Sequence, residues 1–159
     1  MGWISKALRV GRIAEPAPAA PGQTAKPPAG VRGSLQIRHV DAGSCNGCEV
    51  EIAGAFGPVY DAERFGARLV ASPRHADALL VTGVVTHNMA DPLRTTIEAT
   101  PRPRLVIACG DCAINRGVFT DAYGVAGAVG EVVPVDVEIP GCPPTPSQIV
   151  AALRSVTGK

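Results

Sequence analysis

The chain has 159 residues, of which 46% are hydrophobic and 18% charged, a composition that favours one folded domain with a hydrophobic core. The formal net charge is +1 and only 4% of residues are aromatic, which argues against a nucleic-acid partner. No run of about 18 apolar residues occurs, and the N-terminus lacks the layout of a secretory signal. We therefore expect a cytoplasmic protein, in which cysteines serve as ligands or reactive groups rather than in disulfides.

Two segments are expected to precede the folded domain. Residues 1–13 can form a short amphipathic helix, because Trp3, Ile4 and Leu8 fall on one face; a frayed basic terminus is the equal alternative. Residues 14–33 contain five prolines among Ala and Gly, a composition that suits an extended tether and not the interior of a helix or sheet. The sequence thus predicts an N-terminal segment, 1–33, and a folded domain, 34–159.

Beyond residue 34, short apolar strands alternate with helices. In chain order the predicted elements are strand 35–40, helix 49–56, strands 68–71 and 78–82, helix 91–99, strands 105–108 and 132–139, and helix 145–156. Pro92 is expected in the first turn of its helix, and Thr145 with Gln148 matches a capping box. This alternation predicts parallel βαβ units, and so a three-layer α/β fold with a mostly parallel sheet.

Four of the five cysteines follow predicted strands. Cys45 and Cys48 form a C-x-x-C pair after the first strand, while Cys112 and Cys142 each follow a later one. Because the carboxyl ends of parallel strands meet at one edge of a sheet, these thiols can converge. Glycines accompany them and let backbone N–H groups approach sulfur: Gly43, Gly47, Gly110 and Gly141. The pattern predicts one [4Fe–4S] cluster on these four cysteines, and electron transfer as the function.

Three alternatives compete with the cluster. Zinc also takes four thiolates and would make the chain a structural assembly module, but structural zinc sites usually show two compact cysteine pairs. A redox dithiol at Cys109 and Cys112 would leave the Cys45–Cys48 pair unexplained. Unpaired cysteines can also be small buried hydrophobic residues, although four of them at glycine-flanked strand ends argue against it.

Other chemistry-bearing residues give weaker signals. His39, His75 and His87 form no spaced set with acidic residues, and neither a phosphate-binding loop nor a dinucleotide fingerprint occurs. Glu49 and Glu51 begin the helix after the cysteine pair, where negative charge favours the helix N-terminus. The alternative is a carboxylate that relays protons beside the cluster; the electrostatic interpretation is preferred.

Four segments resemble the small iron–sulfur subunit family shared by membrane-bound [NiFe] hydrogenases of the formate-hydrogenlyase type and the 20 kDa (B) subunit of complex I. They are D-A-G-S-C-N-G-C at 41–48, V-T-G-V-V-T-H-N-M at 81–89, I-A-C-G-D-C-A at 107–113 and P-V-D-V-E-I-P-G-C-P-P at 134–144. The resemblance covers about 34–156 and implies a flavodoxin-like fold. It aligns Cys112, rather than the spare Cys109, with the family's ligand loop. Two positions differ from the family pattern: Arg116 stands where the family usually has a glycine, and Thr145 stands where it usually has an arginine.

The resemblance also implies partners. The cluster would lie nearest the active site of a hydrogenase-like or complex I-like large subunit, and one cluster alone needs donor and acceptor on other subunits. A ferredoxin-like iron–sulfur subunit and, indirectly, membrane-embedded subunits complete the expected complex, on the cytoplasmic face of the inner or plasma membrane. Complex I-type subunits carry two adjacent cysteines, so Cys45-x-x-Cys48 favours the hydrogenase branch. The runner-up is a quinone-reducing or nickel-free oxidoreductase subunit. In either case we expect no turnover by the chain alone.

Overall fold

The computed structural model describes residues 33–159. The predicted helix at 1–13 and the tether as far as residue 32 lie outside the described residues. The strands are β1 (Leu35–Asp41), β2 (Ala67–Leu69), β3 (Ala78–Thr82), β4 (Val85–Thr86), β5 (Leu105–Cys109), β6 (Val125–Gly127) and β7 (Val137–Ile139). The α-helices are α1 (Gly47–Ala55), α2 (His87–Ala99), α3 (Asp111–Asn115), α4 (Val129–Val132) and α5 (Pro146–Thr157).

Five of the strands form one parallel sheet in the order β2-β1-β3-β5-β7. Counted along the chain within this sheet, the order is 2-1-3-4-5, which is the flavodoxin-like arrangement. The short strands β4 and β6 pair antiparallel in a separate ribbon. The predicted α/β fold with a mostly parallel sheet is confirmed.

Helices cover both faces of the sheet, because its central strands are apolar on both sides. Every residue of β3 and β5 is buried. On one face, α1 and α5 pack through side chains such as Ile52 and Leu153. On the other face, α2 packs through Leu93 and Ile97. The result is three layers, with a hydrophobic core on each side of the sheet.

Two predicted elements need correction. The run at 132–139 was predicted to be one strand, but only Val137–Ile139 pairs with the sheet, and Val129–Val132 is helical. Pro134 has no N–H for a ladder, and the Asp136 carboxylate accepts a hydrogen bond from Val106 N (2.8 Å) where a strand would have continued.

Helix α2 begins at His87, four residues before its predicted start, and Pro92 lies inside it. The proline removes one backbone hydrogen bond near the start of the helix, while Leu93 and Ile97 hold the helix on the sheet, so packing overrides the local signal. The other predicted elements are confirmed to within two residues at each end. None of the helices within residues 33–159 combines the length and the apolar composition needed to cross a bilayer.

Candidate metal centre

The four predicted ligands lie at the carboxyl edge of the sheet. Cys45 is in the loop after β1, and Cys48 is the second residue of α1. Cys112 is the second residue of α3, directly after β5, and Cys142 follows β7. Cys48 and Cys112 are buried, whereas Cys45 and Cys142 are exposed. The edge therefore has a buried side and a side that faces solvent.

The thiols are close enough to influence one another electrostatically. Burial raises the pKa of Cys112, and charge on Cys142, Cys45 and Cys48 raises it further. Within residues 33–159, no three Cys, His, Asp or Glu side chains form a group suited to a metal ion. The surroundings of the sulfur atoms bear on whether a cluster fits.

Glycines line the space beside three of these sulfurs. A Cβ atom at Gly110 would stand 2.6 Å from Cys48 Sγ, and one at Gly117 would stand 3.0 Å from Cys112 Sγ. Both glycines have positive φ, at 92° and 50°, which other residues rarely adopt. A Cβ atom at Gly47 would lie 3.6 Å from Cys45 Sγ. Backbone rather than side chain thus borders the thiols, an arrangement that fits sulfurs receiving N–H groups around a cluster.

Two aspartates brace the ligand loops. Asp41 Oδ1 accepts hydrogen bonds from Gly43 N (2.9 Å) and Ser44 N (2.8 Å), just before Cys45. Asp111 Oδ1 accepts from Gly141 N (2.8 Å), and Asp111 N donates to the Gly141 carbonyl (2.9 Å). The second pair joins the Cys112 loop to the Cys142 loop. Sequence reasoning missed both aspartates: Asp41 stands two residues before Gly43, a recognised turn signal, whereas Asp111 meets a residue 30 positions away and gives no local signal.

Cys109 lies behind the predicted ligands, in the core between the sheet and α1. It is 0% exposed, and its hydrogen bond with Cys48 links the two thiols. That bond lowers the pKa of Cys48 and, together with burial, strongly raises the pKa of Cys109. Cys109 therefore keeps its proton and donates it toward the Cys48 sulfur.

Glu49 is turned toward the protein rather than toward solvent. Ser44 Oγ donates to Glu49 Oε2 (2.5 Å), and Thr82 Oγ1 donates a short hydrogen bond to Glu49 Oε1. His39 Nε2 lies 3.0 Å from Thr82 Oγ1 and 3.6 Å from Glu49 Oε1. Sequence spacing placed His39 in no set with acidic residues, and it did not reveal this contact with Glu49, because the two residues meet across β1, β3 and α1.

A flavodoxin-like sheet with four cysteines at its carboxyl edge is the arrangement expected of the small iron–sulfur subunit family. Residues 45–156, which include all four cysteines, match the family described as NADH ubiquinone oxidoreductase, 20 Kd subunit, and the chain belongs to this family. The resemblance inferred from the sequence motifs is confirmed.

Relatives of known name come from bacteria and archaea. Formate hydrogenlyase subunit 7 of Escherichia coli is 49% identical over 128 residues, which cover 80% of this chain and 50% of that protein, so the chain spans half the length of this relative. A probable membrane-bound hydrogenase subunit of Pyrococcus furiosus is 50% identical over 114 residues, covering 72% of this chain and 68% of the relative.

Solved structures show the same fold. A chain of the membrane-bound sulfane sulfur reductase, an archaeal respiratory membrane complex, superposes with a TM-score of 0.70 at 35% identity, covering 80% of this chain and 70% of that chain. A chain of an NAD⁺-reducing [NiFe]-hydrogenase superposes with a TM-score of 0.56 at 22% identity, covering 72% of this chain and 85% of that chain, which shows the fold alone.

The structure accounts for both departures from the family motifs. Arg116 has a φ of 69°, a left-handed conformation that suits the usual glycine. Its guanidinium donates to both carboxylate oxygens of Glu131, at 2.9 and 2.5 Å, and Glu131 also accepts from Ala128 N (2.6 Å). Thr145 is the N-cap of α5 and forms the predicted capping box with Gln148.

Proposed function

We propose that Cys45, Cys48, Cys112 and Cys142 hold one [4Fe–4S] cluster, and that the chain transfers electrons as a non-autonomous subunit of a hydrogenase-like or complex I-like oxidoreductase. The observation that carries this proposal is the placement of four thiols at one sheet edge, with glycine backbone against three of their sulfurs. Membership of the family supports it.

Such a cluster supplies one-electron chemistry, while the chain supplies the surroundings that set its reduction potential. The Val118 backbone N–H donates to the Cys112 sulfur and lowers the pKa of that thiol, against the effect of burial. Metal binding requires deprotonated thiolates, so this N–H group favours the ligating form. Gly110, Gly117 and Gly47 leave the sulfurs accessible to backbone groups and to metal.

A large subunit is proposed to cover the exposed side of the centre. Val118 and Tyr123 lie in the segment after the Cys112 helix, and both residues are almost fully exposed. An exposed apolar residue such as Val118, whose backbone lies against the Cys112 sulfur, favours a protein interface beside the predicted redox site. Electrons would then pass between the exposed Cys45 and Cys142 side and the partner.

The rest of the complex is proposed from the relatives. Two of them are named as subunits of formate hydrogenlyase and of a membrane-bound hydrogenase. By analogy, a ferredoxin-like iron–sulfur subunit would serve the chain as a partner, and membrane-embedded subunits would hold the complex at the cytoplasmic face of the membrane. Residues 1–33 would act as a separate segment that contacts a second partner, while residues 34–159 form the cluster-binding domain.

A second candidate function follows from the structural comparison. The similarity to a chain of the sulfane sulfur reductase covers 80% of this chain and 70% of the reductase chain, so a partner from a complex other than a hydrogenase is also consistent with the fold. Nickel analysis of the co-purified large subunit separates the two: nickel favours a hydrogenase, and its absence from an active complex favours the nickel-free or quinone-reducing alternative.

The test of the proposal is spectroscopic. Anaerobically reconstituted protein should be brown, bleach on reduction by dithionite, and regain its colour on reoxidation, because iron–sulfur thiolate centres absorb visible light and change with redox state. A colourless protein that retains zinc and undergoes no reversible reduction would favour the structural zinc module instead.

A further inference from the structure

Glu49 forms the centre of a hydrogen-bonded group outside the ligand set. It is the third residue of α1, yet its side chain is only 17% exposed. Both carboxylate oxygens accept hydroxyl hydrogen bonds, one from Ser44 and one from Thr82. A first-turn glutamate that served only the helix dipole would need no such partners.

Ser44 connects this carboxylate to the cysteine loop. Its Oγ donates to Glu49 at 2.5 Å and accepts from Asn46 N at 2.9 Å. Asn46 is the N-cap of α1 and makes no side-chain cap of its own. In a capping box, a glutamate at this position accepts directly from the N-cap N–H. Here the serine hydroxyl stands between the two: it accepts from Asn46 N and donates to Glu49. Ser44 immediately precedes Cys45, so these hydrogen bonds hold the loop that carries both cysteines of the pair.

Thr82 binds the other carboxylate oxygen of Glu49. It is the last residue of β3, it is 0% exposed, and its register neighbours are Asp41 of β1 and Cys109 of β5. The carboxylate thus ties the cysteine loop to a rigid point in the middle of the sheet. Removing either hydroxyl would leave one carboxylate oxygen partly buried without its donor.

The Glu49 carboxylate lies close enough to the site for its charge to act on the Cys48 thiol. Its two closest donors are neutral hydroxyls, and the nearest cationic candidate is His39, 3.6 Å away. Burial lowers the pKa of His39 from 6.5, so its ring is neutral at about pH 7.5. Glu49 is also the direct neighbour of the predicted ligand Cys48 in the chain. A fixed negative charge beside a cluster disfavours the added electron and lowers the reduction potential.

We propose that Glu49 is a positioning residue: through Ser44 and Thr82 it fixes the Cys45–Cys48 loop on β3, and its charge lowers the reduction potential of the cluster. This inference rests on the proposed function, since it requires a cluster on Cys48. The two roles make separate predictions, because the charge belongs to Glu49 whereas the tether also needs the two hydroxyls.

The experiment compares three variants of the full-length chain, reconstituted anaerobically at about pH 7.5. Glu49→Gln removes the charge with little change in shape, and Ser44→Ala removes the tether but keeps the charge. Glu51→Gln is the matched control, with the same chemical change two residues along the same helix. Each is measured for iron per chain, for midpoint potential by EPR-monitored titration, and for the rate of cluster loss to an iron chelator.

We expect Glu49→Gln to keep its iron and shift to a higher midpoint potential. Ser44→Ala should keep nearly the wild-type potential but lose its cluster several-fold faster, and Glu51→Gln should resemble the wild type in both. An unchanged potential in Glu49→Gln, or an equal shift in Glu51→Gln, overturns the charge role. A wild-type rate of cluster loss in Ser44→Ala overturns the tether.

Two further outcomes are decisive. If Glu49→Gln binds no iron, Thr82→Val joins Ser44→Ala as the test, because both keep the charge: faster cluster loss in both supports positioning, and wild-type rates in both reject it. If the wild-type chain itself binds no iron or sulfide, the proposed function fails and the role of Glu49 fails with it. A loaded wild type with unaffected variants rejects the role of Glu49 alone.

Discussion

Cys109 and Cys112 lie three residues apart but have different surroundings. Cys109 ends β5 and is 0% exposed among the side chains between the sheet and α1. Cys112 begins the next turn, with Gly117 against its sulfur and the charge of three other cysteines acting on it. From the sequence, the choice of Cys112 rested on its position after a predicted strand and on the family resemblance. The structure supports the same choice on physical grounds, because Cys112 is acted on by all three other predicted ligands and has a glycine against its sulfur, whereas Cys109 contacts Cys48 from within the core.

Single substitutions of these two cysteines test whether Cys112, and not Cys109, is the ligand. Cys109→Ser should retain the cluster, because a serine hydroxyl can still donate to the Cys48 sulfur and fits the same volume. Cys112→Ser should lose or severely destabilise it. Iron per chain and visible absorbance after anaerobic reconstitution measure both. The reverse pattern, with iron lost only in Cys109→Ser, would show that Cys109 is the ligand.

His39 makes stability depend on pH. Burial lowers the pKa of this ring from 6.5, against the opposing charges of Glu49 and Asp41. Between the folded-state pKa and 6.5, the unfolded chain binds more protons, so the free energy of unfolding rises with pH and falls as pH drops below about 6.5. Urea unfolding at about pH 5.5 and 7.5 should show this fall. His39→Gln should reduce it, and an equal fall in that variant would assign the effect to other groups.

At the scale of elements, the cap of α5 shows what a local motif can predict. Thr145 N donates to Gln148 Oε1 (2.8 Å), and Gln148 N donates back to Thr145 Oγ1 (3.4 Å), as the sequence pattern indicated. Both partners are local in the chain, so their geometry follows from the helix itself.

Loss of this cap should be measurable. Thr145→Ala should lower the free energy of unfolding by about 1 kcal/mol, because it removes the hydroxyl that accepts from the helix N-terminus. Thr145→Ser keeps that hydroxyl and serves as the control, with a change expected within about 0.5 kcal/mol. Equal losses in both variants would mean that the methyl group of Thr145, and not the cap, provides the stability.

Elements that depend on distant contacts were harder to predict. The apolar run ending at Ile139 matches a strand pattern, but Asp136 binds the backbone of β5 and only the last three residues pair. The start of α2 was misplaced because a proline signal competes with packing of Leu93 and Ile97 on the sheet. The buried strands β3 and β5 were predicted well because their burial on both faces leaves a continuous apolar run.

For the whole molecule, the alternation of strands and helices predicted the sheet, and the topology rule placed the cysteines at one edge. The hydrogen-bonded group around Glu49 was beyond sequence reasoning, because its members come from two strands, a loop and a helix. At the start of the described residues, the Gly33 N–H donates to the Thr157 carbonyl (2.8 Å) at the end of α5.

Truncation tests the predicted division of the chain between residues 33 and 34. Removal of residues 1–33 should leave the cluster intact while weakening assembly with partner subunits, because all four predicted ligands lie beyond that segment. Iron content of the isolated domain and co-purification of the partners measure the two effects. A truncated chain that loses its iron but assembles normally would place the segment within the fold.

The central claim, one four-iron cluster on four cysteines, is tested most directly by native mass spectrometry of the reconstituted chain under anaerobic conditions. We predict a mass gain of four irons and four sulfides per chain. Zinc added to the reconstituted chain should not displace them. A gain of one zinc per chain with no sulfide, or of iron bound without sulfide, would contradict the account.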